Sequence, residues 1–322
     1  MEEKKADKSE IITLGAQFGN VWQMLMNRGF ATLMIFNVVY NVFTGTYPVG
    51  GSSLASTWVG VVPLVNSLST IISNIAIGLV IYINGRYLSN YSFRFLQTFG
   101  LVTSTVIGLL SLLIVYNVTR SPFLWVFTNV DQAALYYVGF LVSIWSTTEM
   151  APPGLEGTAI SISTTASNAA GPLATKISNL IGAQFTYLNT DGAFEDPSIQ
   201  SEVQSDYVFN LLSIMALNLT GLIFLWLLPN QRKEAKRRYE TWGSSVLFGL
   251  VSLAIIIFAM SYGSSTNIQT ILCPCLRSND GDGCDELLLN TKGQCVAEGY
   301  KVPNKTDCNA LMMPLPFVNN TI

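Results

Sequence analysis

Apolar residues recur along the chain in seven blocks, at about 29–47, 59–83, 95–116, 131–151, 157–184, 207–228 and 245–263. Each is near the ~20 residues that a helix needs to cross hydrocarbon. Ahead of them, Ile11, Leu14, Phe18, Val21, Trp22 and Leu25 recur at helical spacing. That spacing predicts an amphipathic helix, lying on the membrane surface or against its own bundle. The fifth block is different in kind. Wound at 100° per residue, it gathers Ser161, Thr164, Thr165, Gly171, Pro172, Thr175 and Asn179 within about 60° of Asn168, with Ile162, Ala166, Leu173, Ile177 and Ile181 opposite. Two other blocks repeat the pattern. Asn37 and Asn41 share one side of the first, and Asn66, Thr70, Ser73 and Asn74 make a stripe along the second. Amides at membrane depth face away from lipid tails. Such stripes line a polar cavity or hold helices together by interhelical hydrogen bonds.

Lys176 is the one charge placed within these blocks at depth. It lies roughly 9 Å from the span centre at 1.5 Å per residue. Two readings stay open: pairing with an anionic solute or with Asp131, or snorkelling to the headgroups. The adjoining Gly171-Pro172 predicts a kink, because proline removes a donor and clashes with an earlier carbonyl.

Composition agrees with a chain that lives in a bilayer. Half of the 322 residues are hydrophobic, 11% are charged, and mean hydropathy is +0.41, whereas soluble domains carry roughly 25% charged residues. A net charge of −3 with dispersed basic residues gives no reason to expect nucleic acid. The absence of histidine removes His-based triads and HExxH zinc sites, and no nucleophile–base pair or metal cluster stands at membrane depth. The chain is therefore read as a non-enzyme without a cofactor.

The loops set an orientation. Lys4, Lys5, Lys8 and Arg28, then Arg86 and Arg94, then Arg232, Lys233, Lys236, Arg237 and Arg238 fall on one side, while the 185–206 loop holds acids but no Lys or Arg. The positive-inside bias puts the N-terminus in the cytosol and the C-terminus outside. Sequons at Asn117, Asn304 and Asn319 fall outside too, as glycosylation candidates. Cys273, Cys275, Cys284, Cys295 and Cys308 all sit in the tail, which suits disulfides in an oxidising compartment, with zinc as the competing reading. Asn279–Glu286 in that tail has some character of a calcium loop but lacks its alternating ligand series; a disulfide-braced turn is the alternative.

At Pro152-Pro153-Gly154-Leu155-Glu156-Gly157-Thr158, with Glu149 before and Asn168 ten residues after, the chain resembles the folate–biopterin transporter family of the major facilitator superfamily, most like its oomycete-type members. Leu227-Leu228-Pro229-Asn230-Gln231-Arg232-Lys233, Trp242 and the cysteine tail match as well, and the resemblance runs from about residue 20 to 285. It implies an all-α polytopic membrane protein: half of a major-facilitator bundle, six spans, corresponding to the family's C-terminal half, plus one extra transmembrane helix. The expected organisation is a cytosolic leader and amphipathic helix over 1–28, the six-span half over 29–228, a basic cytosolic loop over 229–244, a seventh span over 245–263 and an extracytosolic tail over 264–322. It also implies a carrier of folate- or pterin-like or other small anionic solutes by alternating access, in the plasma membrane, with a second transporter half or another copy as partner. On this reading Asn37, Asn41, Asn66, Thr70, Asn168 and Lys176 bind the solute, and Glu149, Pro153, Gly154, Glu156 and Gly157 belong to a cytosolic gate. The rival expectation is a non-transporting scaffold that works through its disulfide-bonded tail.

Overall fold

In the computed structural model, residues 14–88, 90–189, 193–272, 296–297 and 300–301 are described. The five tail cysteines, Asn304 and Asn319 lie outside these residues.

The described chain is helical, apart from one short antiparallel ladder between β1 (Val296–Ala297) and β2 (Tyr300–Lys301). The helices are α1 (Leu14–Met26), α2 (Arg28–Thr44), the single turn α3 (Gly51–Ser53), α4 (Pro63–Ile83), α5 (Phe93–Gly108), α6 (Ser111–Val115), α7 (Pro122–Met150), α8 (Glu156–Gly182), α9 (Gln200–Thr220), α10 (Arg232–Thr241) and α11 (Val246–Leu272). Four stretches are long and apolar enough to cross a membrane by length and composition: Pro63–Leu88, Phe93–Val115, Gln200–Trp226 and Val246–Ser265. With α2, α7 and α8 they occupy the positions of the seven apolar blocks. This is an all-α, polytopic membrane protein.

Local chemistry decides where the helices begin and break. The Asn27 side chain accepts from Gly29 N and Phe30 N at 2.9 and 3.3 Å and so starts α2. Ser121 caps α7 with Pro122 in its first turn, so this helix begins nine residues before the apolar block at 131. Gly60, at φ 69, ends a π-wound segment over Leu54–Val59, and α4 restarts at Pro63. The second apolar block is thus two pieces. The basic 229–244 segment, expected as a loop, contains a helix, α10, with Ala235 and Arg238 buried.

The packing repeats after three helices. α2 lies against α8 and the end of α9, and α7 lies against α4 and α5. α2 is the most enclosed, burying Phe30, Leu33, Met34, Phe36 and Val38; of α4 only Ser69 is buried. One hydrophobic core surrounds α2 and reaches Phe93, Leu96, Met150, Leu228 and Ala235 near α10. A second, around Leu54, Trp58, Ile114, Val203 and Leu211, closes the opposite end. α11 packs on α8 and α2, close enough that a Cβ on Gly263 would collide with Pro172. α1 packs on α2 and α11 with Met24 and Met26 buried, while Phe18 and Trp22 stay exposed.

Candidate functional site

Between α2, α5, α7 and α9 lies a cavity of 790 Å³, running from mid-bundle towards the end away from α10. That volume falls in the ordinary range for a small-molecule site. α2 supplies Asn37 and Asn41 one turn apart, α5 supplies Gln97 and Ser104, and α7 supplies Gly139 and Ser143. A strap over residues 45–51 covers its far end.

At the inner limit, Asn37 is 1% exposed and joins three helices. Its Nδ2 donates to Ser163 Oγ at 2.8 Å, and its Oδ1 accepts from Ser143 Oγ at 3.0 Å. Thr147 Oγ1 donates to the same Ser163 oxygen at 2.9 Å. Beside this cluster the Gln97 amide lies across Gly139, where a Cβ would stand 2.7 Å from Gln97 Nε2. Gln97 Oε1 is buried without a partner. Asn41 Nδ2 turns back to Asn37 O at 2.7 Å.

The strap is tied on both flanks. Tyr47 N donates to Ser178 Oγ on α8 at 3.0 Å, and Val49 N to Asn210 Oδ1 on α9 at 3.1 Å. Thr46 Oγ1 donates to Asn218 Oδ1 at 2.6 Å. Gly50, at φ 83, turns the chain back into α3.

The six residues expected to bind solute divide. Asn37 and Asn41 line the cavity; Asn66, Thr70, Asn168 and Lys176 do not. Asn66 and Thr70 lie on the exposed face of α4, where Thr70 Oγ1 donates to Asn66 O at 3.1 Å. Asn168 is exposed on α8, and Lys176 is half-buried there. A helical projection tells which side of a rod is polar, not which neighbour stands opposite. Gln97 was missed. Its signal was in the third apolar block, where Gln97, Ser104 and Ser111 recur at sevenfold spacing with Gly100 and Gly108 on the same flank.

The residues expected to form a gate cluster at the α10 end, away from the cavity. Glu149 closes α7 with Oε1 at 3.9 Å from Arg232 Nη1, a partly exposed and therefore weak pair. The Arg232 guanidinium also stands 5.3 Å from the Trp145 ring centroid. Pro153 and Gly154 form the turn between α7 and α8; Gly154 takes φ 83, a conformation glycine reaches without strain. Glu156 and Gly157 open α8, both exposed. Asn117 is exposed at the turn after α6, with φ 58.

Below them α10 braces the bundle. Arg238 Nε and Nη2 donate to Glu234 Oε1 at 2.9 and 2.6 Å, and Arg238 Nη1 to Leu227 O at 2.7 Å. Arg94 Nε reaches Leu228 O at 2.8 Å, and Asn27 Nδ2 reaches Tyr239 O at 2.8 Å. Burial raises the Glu234 pKa, but the Asn230 N–H together with Arg238 and Arg94 outweighs it, and the net shift is downward.

Among the described residues no group of three or more His, Cys, Asp or Glu is arranged to hold a metal. The sequence profile of the BT1 family matches residues 6–241. No curated protein matches the chain, and neither does any solved structure.

Proposed function

Because this chain belongs to the BT1 family, the folate–biopterin transporters, we propose that it carries small folate- or pterin-like solutes across a membrane, the plasma membrane in particular, by alternating access. The observation that carries this reading is the 790 Å³ cavity, lined by amides and hydroxyls alongside apolar side chains, inside a bundle of membrane-crossing helices. A greasy bundle gains nothing from enclosing amides and hydroxyls around a space unless something polar occupies it.

The positive-inside bias puts α10 and the α7–α8 turn on the cytosolic side. With the N-terminus in the cytosol and the tail outside, the cavity faces outward, behind the strap. The core around Phe30, Phe93 and Met150, with α10 beneath it, then closes the cytosolic route. Glu149, Pro153, Gly154, Glu156 and Gly157 act at that closure. The repeat of packing, α2 with α8 and α9, α7 with α4 and α5, supports a six-helix transporter half made of two three-helix units, with α11 added. Asn66, Thr70 and Asn168 are reassigned to a contact surface. Amides on exposed faces of α4 and α8 require cover within hydrocarbon, and a second transporter half or another copy of the chain supplies it.

The test is uptake of biopterin and folate into vesicles holding the full chain. Asn41→Ala removes a cavity-lining amide and lowers uptake severalfold; Lys176→Ala leaves it near the wild-type level. Unchanged uptake in Asn41→Ala at intact expression takes the cavity off the transport path.

A further inference from the structure

Arg120 lies in the turn between α6 and α7. It is the one Lys or Arg in the turns over 45–62, 117–121 and 183–199, all at the strap end of the bundle. Its guanidinium carbon stands 5.0 Å from the centroid of the Trp58 ring, and Trp58 belongs to the apolar cluster of Leu54, Ile114, Val115 and Tyr207. Nε and Nη2 of Arg120 are buried, and neither has an acceptor among the described residues. An aromatic face offsets part of the cost of a desolvated cation. It leaves the N–H groups along the guanidinium edge unsatisfied. None of the described acids at this end, Glu195, Asp196, Glu202 and Asp206, pairs with Arg120; the ion pairs among the described residues are Arg232–Glu149 and Arg238–Glu234, at the α10 end. Arg238 shows what such an edge takes: its Nε and Nη2 both donate to Glu234 Oε1, at 2.9 and 2.6 Å. These two N–H groups lie side by side in a rigid plane, a fork that matches a carboxylate.

The guanidinium is also joined to the rim of the cavity. Trp58 Nε1 donates to Phe194 O at 2.8 Å, and the two rings stand 5.2 Å apart. Phe194 in turn lies against the strap, where a Cβ on Gly50 would stand 3.0 Å from its Cζ. Trp125, one turn into α7 from the Arg120 turn, lines the cavity itself. We propose that Arg120 is the anion-binding residue of the outer rim, its Nε–Nη2 edge taking a carboxylate of the solute while the uncharged part occupies the cavity. The inference rests on the carrier reading and adds a site for the solute's charge. The cavity lining offers none, since no described residue in it is charged. Arg120 as a whole is only half-buried, so rotation about its terminal torsions turns the edge towards an arriving anion.

Equilibrium dialysis on the full chain in phosphatidylcholine nanodiscs, with three radiolabelled probes, tests this. Folate carries two carboxylates, folate dimethyl ester keeps its bulk without the charge, and biopterin is uncharged. Arg120→Gln is expected to lose about tenfold for folate and to hold the ester and biopterin within twofold of wild type. Arg120→Lys, which keeps the charge without the fork, falls between the two for folate. Wild-type folate affinity in Arg120→Gln, or a wild type that takes biopterin and no folate, overturns the inference while the carrier reading stands. Equal losses for all three probes with a lowered melting temperature make Arg120 structural and overturn it as well. A wild type that binds none of the probes overturns both readings. One measurement needs no substitution: phenylglyoxal modification of Arg120 in the wild type, followed by peptide mass spectrometry. Folate is expected to slow it and the ester is not; equal protection by both overturns the inference. Two further arms identify other sources of the anion. Melting that rises with phosphatidylglycerol in the nanodisc but not with folate, a response lost in Arg120→Gln, assigns the edge to a lipid headgroup and overturns the solute assignment. Folate binding that responds to Arg120→Gln only once Asp191 is replaced by asparagine means that the guanidinium is paired within the chain, which also overturns it.

Discussion

Asn37 illustrates what a single side chain does at membrane depth. It bonds Ser163 on α8 and Ser143 on α7 at once, so its amide both bounds the cavity and joins the two helices that line its inner end. Replacing it with alanine removes one partner from each of two buried hydroxyls that keep each other and Thr147, a loss of about 1 kcal/mol per hydrogen bond. Asn37→Ala is therefore expected to lower the melting temperature of the purified chain in detergent, and Asn37→Ser to recover part of the loss. Equal melting in all three proteins would mean that water replaces the amide without cost. At this scale the sequence was half legible. The four-residue spacing of Asn37 and Asn41 is a helix-face signal, and both do line the cavity. Asn66, Thr70 and Asn168 carry the same kind of signal, but it is blind to whether a polar flank meets its own bundle or the outside. Gln97 was obscured by the apolar residues around it in the third block.

Among the elements, α10 departs furthest from expectation. Read as a basic stretch, it promised a cytosolic loop; as a structure it is a helix packed on α7 and α2, with Arg238 reaching the segment that follows α9. The missing information was tertiary: Arg238 and Arg94 reach the free carbonyls at the end of α9, and no pattern within 229–244 announces those partners. The Glu234 carboxylate holds the brace together, and its pKa is lowered from the ordinary 4.5. A carboxylate depressed in the folded protein adds stability above its unfolded pKa and loses it as pH falls through the folded one. Wild type should thus melt above Glu234→Gln at neutral pH, and the gap should close as pH is lowered below 4.5. A gap of constant size across that range would assign the effect to shape rather than charge. The helix starts were more legible in principle, since Asn27, Ser121 and Pro122 are capping residues by type. Even so, the true start of α7 lay outside its apolar block.

For the whole molecule, hydropathy marks four stretches long and apolar enough to cross a membrane, because burial in lipid is a property of composition over ~20 residues. The arrangement of those helices depends on which faces meet, and that is where two interior helices, α2 and α7, separate from an almost uncovered α4. If a second half or second copy covers α4, a cysteine placed at Thr70 will form a cross-linked species with a short bis-maleimide in membranes, and one placed at Ile83, near the end of α4, will do so less. Cross-linking that is no stronger at Thr70 than at Ile83 would leave the exposed stripe facing lipid.

The strap over residues 45–51 has a mechanical consequence. It is fastened to α8 through Tyr47 and to α9 through Val49, like a door with a latch on each jamb. Neither helix can swing outward alone without pulling on the other, so the rim at that end moves as a pair or stays shut.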